Sequence, residues 1–447
     1  MRIHFISIGG SAMHNLAIAL SKEGNNVTGS DDIIFEPSKS RLEKYNLLPD
    51  ELGWNADRIS PEIDAIVLGM HAHADNPELL KAKELNLKIY SYPEFLYNQS
   101  INKTRVVIGG SHGKTTITSM VLHVANELKL DVDYMVGAQL EGYETMVKLS
   151  DDNKYIVLEG DEYLSSALDL RPKFHLYKPN VALLTGIAWD HINVFPTFEN
   201  YVEQFKIFID KIEDGGVLIY NEEDENIVSL VNKSEANINF IPYSTPKYEI
   251  KEGGYFINTD EGEFKLEIFG KHNLQNLEGA KELCSQMGVS YSDFYNAISS
   301  FRGASRRLEE VYKDDEHIVY KDFAHSPSKV EASVSAVSER FADKNKLVVL
   351  ELHTYSSLNP EFLVQYEGSL DSVSNPIVYV DSEIVKNKRM APIGEEQIKK
   401  AFAKNDLIFF DKPDELKEYV NANLQNTDVA LFMSSGNLGG LQLDKLY

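Results

Sequence analysis

The feature that most constrains this chain is a glycine-rich turn set between a strand and a helix. The apolar run Arg105-Val106-Val107-Ile108 enters Gly109-Gly110-Ser111-His112-Gly113-Lys114-Thr115-Thr116 without a break. Behind the turn, Ile117, Met120, Val121, Val124 and Leu128 recur at the i, i+3, i+4, i+7, i+11 spacing of a helix with one buried face. Strand, tight loop and helix are therefore predicted in that order. The backbone N–H groups of such a turn, together with the helix N-terminus, cradle phosphate oxygens. Lys114 adds a charge at the outer phosphates and the Thr115 hydroxyl is a ligand for Mg²⁺. The general pattern is G-x-x-x-x-G-K-[ST], and here Gly109 and Gly113 are separated by three residues, not four. A turn needed only for close packing does not call for Lys-Thr-Thr at the helix start. The loop thus points to binding of a nucleoside triphosphate, ATP, through Gly110, Ser111, His112, Gly113, Lys114, Thr115 and Thr116.

Two further buried runs, ending in Glu159-Gly160-Asp161-Glu162 and in Asp190-His191, are expected beside that loop. In an open parallel sheet ligands sit beyond the carboxyl ends of the strands. Carboxylates and an imidazole emerging there are suitable partners for Mg²⁺ held with a nucleotide. In isolation either cluster reads as a solvated loop; following buried strands next to a phosphate loop, they read as part of an ATP-using enzyme.

At 447 residues the chain is long enough for roughly three domains at ~150 residues each. Short strands and helices alternate through the first hundred residues, and a polar stretch near 102 precedes the phosphate-loop strand. The middle carries a parallel core plus antiparallel hairpins over 245–268. After 301–308 a doubly wound α/β pattern restarts, with helices expected over 327–342, after Pro360, over 394–404 and from Pro413. Domains of 1–102, 103–303 and 304–447 follow. With 69 acidic against 44 basic residues, the formal net charge of −25 repels a phosphate backbone, so no nucleic-acid partner is expected. No apolar run approaches the ~18 residues a membrane span needs. The single cysteine, Cys284, sits in an apolar-periodic stretch and reads as a core residue, and a cytoplasmic location is expected.

The first strand ends in Gly9-Gly10-Ser11-Ala12-Met13, and the second in Ser30-Asp31, about 22 residues after Gly9. A glycine turn opening a helix, with an acid ~20 residues later, can hold a diphosphate and a ribose. The third glycine of the dinucleotide pattern is missing, so a plain structural turn and a dehydrogenase site both stay open on these residues.

The run GGSHGKTT, followed in order by EGDE, DH, GKHNLQN, RRLE and DFAHSP, resembles the Mur ligase family. The resemblance spans the chain and implies an α/β, three-domain architecture: a Rossmann-like N-terminal domain for a UDP-sugar, a central P-loop ATPase domain with a mixed sheet, and a Rossmann-like C-terminal domain that binds the acceptor. Carried over by position, Lys114, His191, Arg307 and His325 are implied to be catalytic. Thr115, Glu159 and His191 would ligate metal, Asn273 and Asn276 would contact adenine, and Arg307 and Asp322 would contact ATP. Gly9, Gly10, Ser11, Met13, Ser30 and Asp31 would hold the UDP-sugar, UDP-N-acetylmuramate.

The family reading implies an ATP-dependent ligase joining the lactyl carboxylate of UDP-N-acetylmuramate to the amine of an amino acid or short peptide, with ATP and Mg²⁺ as cofactors. Two branches take the same UDP-sugar, one adding L-alanine and one, in cell-wall recycling, adding L-alanyl-γ-D-glutamyl-meso-diaminopimelate. Phe323 and the C-terminal Met433-Ser434-Ser435-Gly436-Asn437-Leu438-Gly439-Gly440 are similar to the tripeptide branch, which is the expected one, with L-alanine as the alternative. Ser111, Gly186 and Ser326 depart from the usual Thr, Asn and His, and Leu350–Ser357 lies between the two branches' acceptor loops. A carbamylated lysine, found in some members four residues after an aromatic, would fall at Phe205 and is not expected. Domain closure, and a monomer or weak homo-oligomer, are expected. A folylpolyglutamate-type ligase lacks the first hundred residues, and a non-catalytic nucleotide-binding protein would not need Lys114, Thr115, Glu159 and His191 together.

Overall fold

The structure, a computed structural model, describes residues 1–70, 72–166, 168–251, 254–304 and 307–446. The chain folds into two compact units, each gathered from several segments. The first comprises 1–187, 202–244 and 279–294; the second comprises 188–201, 245–278 and 295–447.

The first unit contains two sheets. The N-terminal one is built from β1 (Arg2–Ile6), β2 (Asn26–Ser30), β3 (Ala65–Leu68) and β4 (Ile89–Ser91), in the order β2-β1-β3-β4 and all parallel. Ile6, Ile66, Leu68, Leu79 and Ala82 pack on one of its faces, as expected of strands covered by crossover helices. The larger sheet has the order β11-β10-β9-β5-β8-β6-β7. Its strands are β5 (Thr104–Gly109), β6 (Asp133–Met135), β7 (Val147–Lys148), β8 (Tyr155–Glu159), β9 (Val181–Leu184), β10 (Val217–Asn221) and β11 (Asn239–Tyr243). Only the edge pair β6–β7 is antiparallel, so the sheet is mixed, as predicted. β5, β8 and β9 are fully or almost fully buried along their length, which is why they read as continuous apolar runs rather than alternating ones.

The second unit contains the expected hairpins, β12 (Tyr248–Lys251), β13 (Gly254–Thr259) and β14 (Gly262–Leu266), as an antiparallel meander. Its main sheet is built from β15 (Glu309–Lys313), β16 (Ile318–Asp322), β17 (Lys346–Glu351), β18 (Ile377–Tyr379), β19 (Ile408–Phe410) and β20 (Val429–Met433). Their order is β15-β16-β20-β17-β18-β19, parallel except for β15 against β16. Val319, Val349, Tyr379, Leu416 and Phe432 form its core on one side.

The helices follow the expected positions with shorter ends. The one expected over 327–342 runs Pro327–Arg340, and that over 394–404 runs Glu395–Ala401. After Pro360 there is a single turn, Pro360–Leu363, tightening into a 3-10 turn over Val364–Tyr366. That tightening has a tertiary cause, because Tyr366 is fully buried and donates its hydroxyl to the carbonyl of His325. Cys284 is buried in the helix Lys271–Gln286, and burial pushes its thiol pKa far up, as fits a core residue. Phe205 is fully buried against Phe174, while the next residue, Lys206, is exposed beside Glu203.

Candidate active site

The phosphate loop of the first unit leaves β5 and enters the helix Lys114–Glu127, whose N-cap is Gly113 in the left-handed region at φ 77°. Gly110, at φ 132°, is required on two counts. Its φ disfavours side chains, and a Cβ there would lie 1.9 Å from the Thr185 hydroxyl. The Ser111 hydroxyl donates to the carbonyl of Gly186 at 3.0 Å, tying the loop to the end of β9. Gly186 itself explains one departure from the family pattern, since any side chain there would meet the His112 ring at 2.4 Å.

Lys114 and Thr115 both face acids at the end of β8. The Thr115 hydroxyl donates to Glu159 Oε1 at 2.8 Å, and Glu159 Oε2 accepts the Gly137 N–H at 3.1 Å. Burial raises the Glu159 carboxyl pKa against those hydrogen bonds and the Lys114 charge. Lys114 Nζ donates to Glu162 at 2.5 Å. Burial alone would lower its pKa, but the charges of Glu162 and Asp161 outweigh that and raise it, so the ammonium is kept. Asp161, paired with Lys173 at 2.6 Å, is held at about 2: burial opposes this, and the Lys173 and Lys114 charges win. The Lys114–Glu162 pair is not legible in the sequence. The acid lies in the EGDE run, but nothing in the spacing says which carboxylate the lysine takes.

Among the described residues, no group of three or more His, Cys, Asp or Glu stands ready for a metal ion. A Mg²⁺ ion carried by a nucleotide does not need one, since it binds through one or two protein oxygens plus phosphates and waters. The adjacent Thr115 hydroxyl and Glu159 carboxylate fit that role.

Beyond the carboxyl ends of β1 and β2, Asp31 accepts the N–H of Gly9 at 2.7 Å and of Asp32 at 3.0 Å, tying the turn after β1 to the end of β2. Burial raises its pKa. Gly9 is closely packed, with a Cβ position 2.8 Å from Ile34. Gly10 and Ser11 are exposed at the turn, whereas Met13 is buried. Ser30 is fully buried and donates its hydroxyl to Glu78 of the helix Pro77–Glu84.

The second unit holds the remaining candidates in two groups. Lys329 reaches Asp190 at 3.5 Å, and His325 lies within the electrostatic reach of both. Burial would raise the Asp190 pKa, but the charges of Lys329, His191 and His325 hold it well below the carboxylate range. His191 follows at φ 55°, an uncommon conformation for a residue other than glycine, with its N–H on Asp190 at 2.8 Å. His325 Nδ1 donates to the carbonyl of Phe323 at 2.7 Å, an assignment that leaves Nε2 as the acceptor. Burial, then the Lys329 charge, pushes its pKa down to about 4, so the ring is neutral at pH 7. Lys329 is a member of this group that the motifs do not single out; its signal is its place in the first turn of the helix after DFAHSP.

In the second group, Arg307 lies over the Phe323 ring at 5.2 Å, and Asp322 is buried and accepts the Ser333 hydroxyl. Burial raises the Asp322 pKa, with Ser333 and Arg307 opposing. The neighbouring Arg306 of the Arg-Arg-Leu-Glu run lies outside the described residues. Asn273 and Asn276 are buried on the helix Lys271–Gln286, with Asn273 Nδ2 donating to the Phe269 carbonyl at 2.9 Å.

Residues 2–103 match the profile described as "Mur ligase family, catalytic domain", and 108–283 match "Mur ligase middle domain". The UDP-N-acetylmuramate–L-alanine ligase of Persephonella marina is 30% identical over 98% of this chain and 94% of its own length. Among solved structures, the UDP-N-acetylmuramate–alanine ligase of Thermotoga maritima is 21% identical with a TM-score of 0.68, covering 98% of this chain and 96% of that one. The murein peptide ligase of Psychrobacter arcticus is 22% identical with a TM-score of 0.66, covering 98% and 97%. The expectation that tripeptide ligases would be the nearer branch is not carried by the curated relatives, which bear the alanine-ligase name. With its motifs in order and a 30% identical relative along its whole length, this enzyme belongs to the Mur ligase family of ATP-dependent, amide-forming ligases.

Proposed function

We propose that this protein joins the lactyl carboxylate of UDP-N-acetylmuramate to the amine of an amino acid or short peptide, forming ADP and phosphate. The observation that carries the reading is the phosphate loop with Lys114 and Thr115 directed onto the acidic end of β8. A carboxylate is a poor electrophile at neutral pH, so its oxygen first attacks the γ-phosphorus. The bond to the β-γ bridging oxygen breaks, and ADP and an acyl phosphate result. Lys114 and Arg307 spread the charge of the transferring oxygens. Mg²⁺, held through Thr115 and Glu159 with His191 as a candidate ligand of a second ion, would add further charge neutralisation there. The acceptor amine then attacks the acyl carbon, the carbon–oxygen bond to phosphate breaks, and phosphate departs. His325 is the proposed proton acceptor, being neutral at pH 7 with Nε2 free of the Phe323 bond. If His325→Ala changed only ATP affinity and left single-turnover amide formation intact, His325 would be a positioning residue.

The UDP-sugar is assigned to the turn at Gly9, Gly10, Ser11 and Asp31, and adenine to Asn273 and Asn276. A division into domains 1–102, 103–303 and 304–447 is supported by a separate sheet before residue 102 and by family profiles that end and begin near it. A cytoplasmic location accords with ATP use; among the described residues no helix is long and apolar enough to cross a membrane.

The acceptor has two readings. Curated relatives along the whole chain favour L-alanine. The loop Met433–Gly440 and Phe323 favour L-alanyl-γ-D-glutamyl-meso-diaminopimelate. Product mass and ADP release, measured with Mg-ATP, UDP-N-acetylmuramate and each acceptor separately, decide between them. No ADP in either mixture would overturn the ligase reading.

A further inference from the structure

Within the second unit, the carboxylate of Asp190 has two partners from the chain itself. Its Oδ1 accepts the backbone N–H of His191 at 2.8 Å, and its Oδ2 meets the Lys329 ammonium at 3.5 Å. The side chains of Asp190 and Lys329 are only 13% and 19% exposed, so the pair is largely withdrawn from water and its charges are weakly screened.

Lys329 is the third residue of the helix Pro327–Arg340, whose first turn holds no acid. A cation there stands at the positive end of the helix dipole, the end that favours anions. Helix formation does not call for this lysine, and withdrawing its ammonium from water adds a further cost. The backbone that carries it is nevertheless fixed, because Ser333, one turn on, bridges the Lys329 carbonyl and Asp322 at the end of β16.

Two imidazoles complete the surroundings. His325 lies within the electrostatic reach of Lys329 and Asp190, with its Nδ1 on the Phe323 carbonyl and its own carbonyl accepting the Tyr366 hydroxyl. His191, at φ 55°, accepts the N–H groups of Val194 and Phe195 on its carbonyl at 2.8 and 2.9 Å. A carboxylate and two imidazoles are the kinds of group that hold a divalent ion. Here both carboxylate oxygens are engaged and an ammonium stands with them, and among the described residues no three such groups are gathered for a metal. A divalent ion bound at Asp190 and His191 meets the Lys329 charge on the same carboxylate, in a partly desolvated setting where like charges repel strongly.

We propose that Lys329 is a fixed cation standing in for a second Mg²⁺ at Asp190 and His191, so that the enzyme works with the single ion carried by the nucleotide. The inference rests on the ligase reading above and replaces the second ion named there. Asp190 is then the counter-ion of Lys329 rather than a metal ligand. The ammonium offers its N–H groups to the oxygens of the acyl phosphate that the ligase reading brings to His325, and Lys329 itself makes and breaks no covalent bond. A cation built into the chain is in place before the substrates arrive, and it draws on no free metal. Lys329 is on this account a further catalytic residue.

The test replaces Mg²⁺ by Mn²⁺ and counts the ions bound per chain by electron paramagnetic resonance, with the β,γ-methylene analogue of ATP and UDP-N-acetylmuramate present. One ion is expected in wild type and two in Lys329→Ala. Two in wild type, or one in both proteins, overturns the inference. Steady-state ADP release is then measured with L-alanine and with the tripeptide. Lys329→Ala should lower kcat ~100-fold, as for loss of one charge-stabilising donor, with the KM for ATP and the melting temperature near wild type. Free Mg²⁺ in excess of ATP should recover part of that loss and leave wild type unchanged, and Lys329→Arg should keep kcat within ~10-fold of wild type. An unchanged kcat in Lys329→Ala, or an equal loss in both variants with a lowered melting temperature, makes Lys329 a structural partner of Asp190 and overturns the inference. An adverse ion count with ADP still released removes this inference alone, whereas no ADP from wild type with either acceptor removes the ligase reading and this inference with it.

Discussion

At the scale of single residues, the phosphate loop is where physical necessity is tightest. Gly110 combines a φ of 132° with a Cβ position 1.9 Å from the Thr185 hydroxyl, so Gly110→Ala must distort the loop. It should cost about 1–3 kcal/mol, read by urea denaturation, together with nucleotide affinity read by titration calorimetry. On the proposed reading, in which the Lys114 ammonium paired with Glu162 also meets the outer phosphates, Lys114→Ala should reduce ADP formation ~100-fold or more. Gly186→Asn, which restores the family's usual residue, should lose stability unless His112 is changed as well, since the added side chain meets the His112 ring. A double-mutant cycle with His112→Ala measures that coupling.

At the scale of elements, the N-terminal sheet is joined to the helix Pro77–Glu84 by a buried polar knot. Glu78 accepts from Ser30 of β2, from His4 of β1 at 3.3 Å and from the Asn55 N–H at 3.0 Å. Burial would raise its pKa, but these bonds outweigh burial and hold it below the usual carboxylate value. A carboxyl depressed in the folded state contributes stability above its unfolded value of roughly 4.3, and loses it as pH falls through the lower folded value. Glu78→Gln should therefore destabilise the protein at pH 7 by about 1–3 kcal/mol, and the gap to wild type should shrink below pH 4 in urea titrations. An unchanged gap from pH 7 to pH 3 would mean that the charge is not what the knot uses. The elements themselves are largely legible. Continuous apolar runs mark β5, β8 and β9, and the i, i+3, i+4 spacing marks the helix Lys114–Glu127. The single turn at Pro360–Leu363 is not legible, because it is set by Tyr366 reaching the His325 carbonyl 41 residues away.

At the scale of the molecule, ligand binding is itself a stability term. Ligand binding to the folded state alone adds RT ln(1 + [L]/Kd), about 2.7 kcal/mol at a hundredfold excess over Kd. Mg-ATP should raise the melting temperature, and chelating the metal should remove most of that gain. Lys114→Ala should show little shift under either condition. A shift that survives chelation would show that Thr115 and Glu159 do not hold a metal with the nucleotide.

What the sequence determined by itself is the chemistry that local order encodes. A glycine-rich turn must be continuous to wrap a phosphate, and a strand end must carry its acid in the next residue, so GGSHGKTT, EGDE and DH are readable one after another. What only the tertiary structure decided is which side chains meet across distant segments. Lys114 takes Glu162 rather than Glu159, Ser30 turns inward to Glu78, Lys329 returns to Asp190, and Lys388 comes to rest over Tyr355. Those pairings depend on strand order, and strand order places residues 30 to 140 positions apart at one edge of a sheet with no periodic trace in the chain.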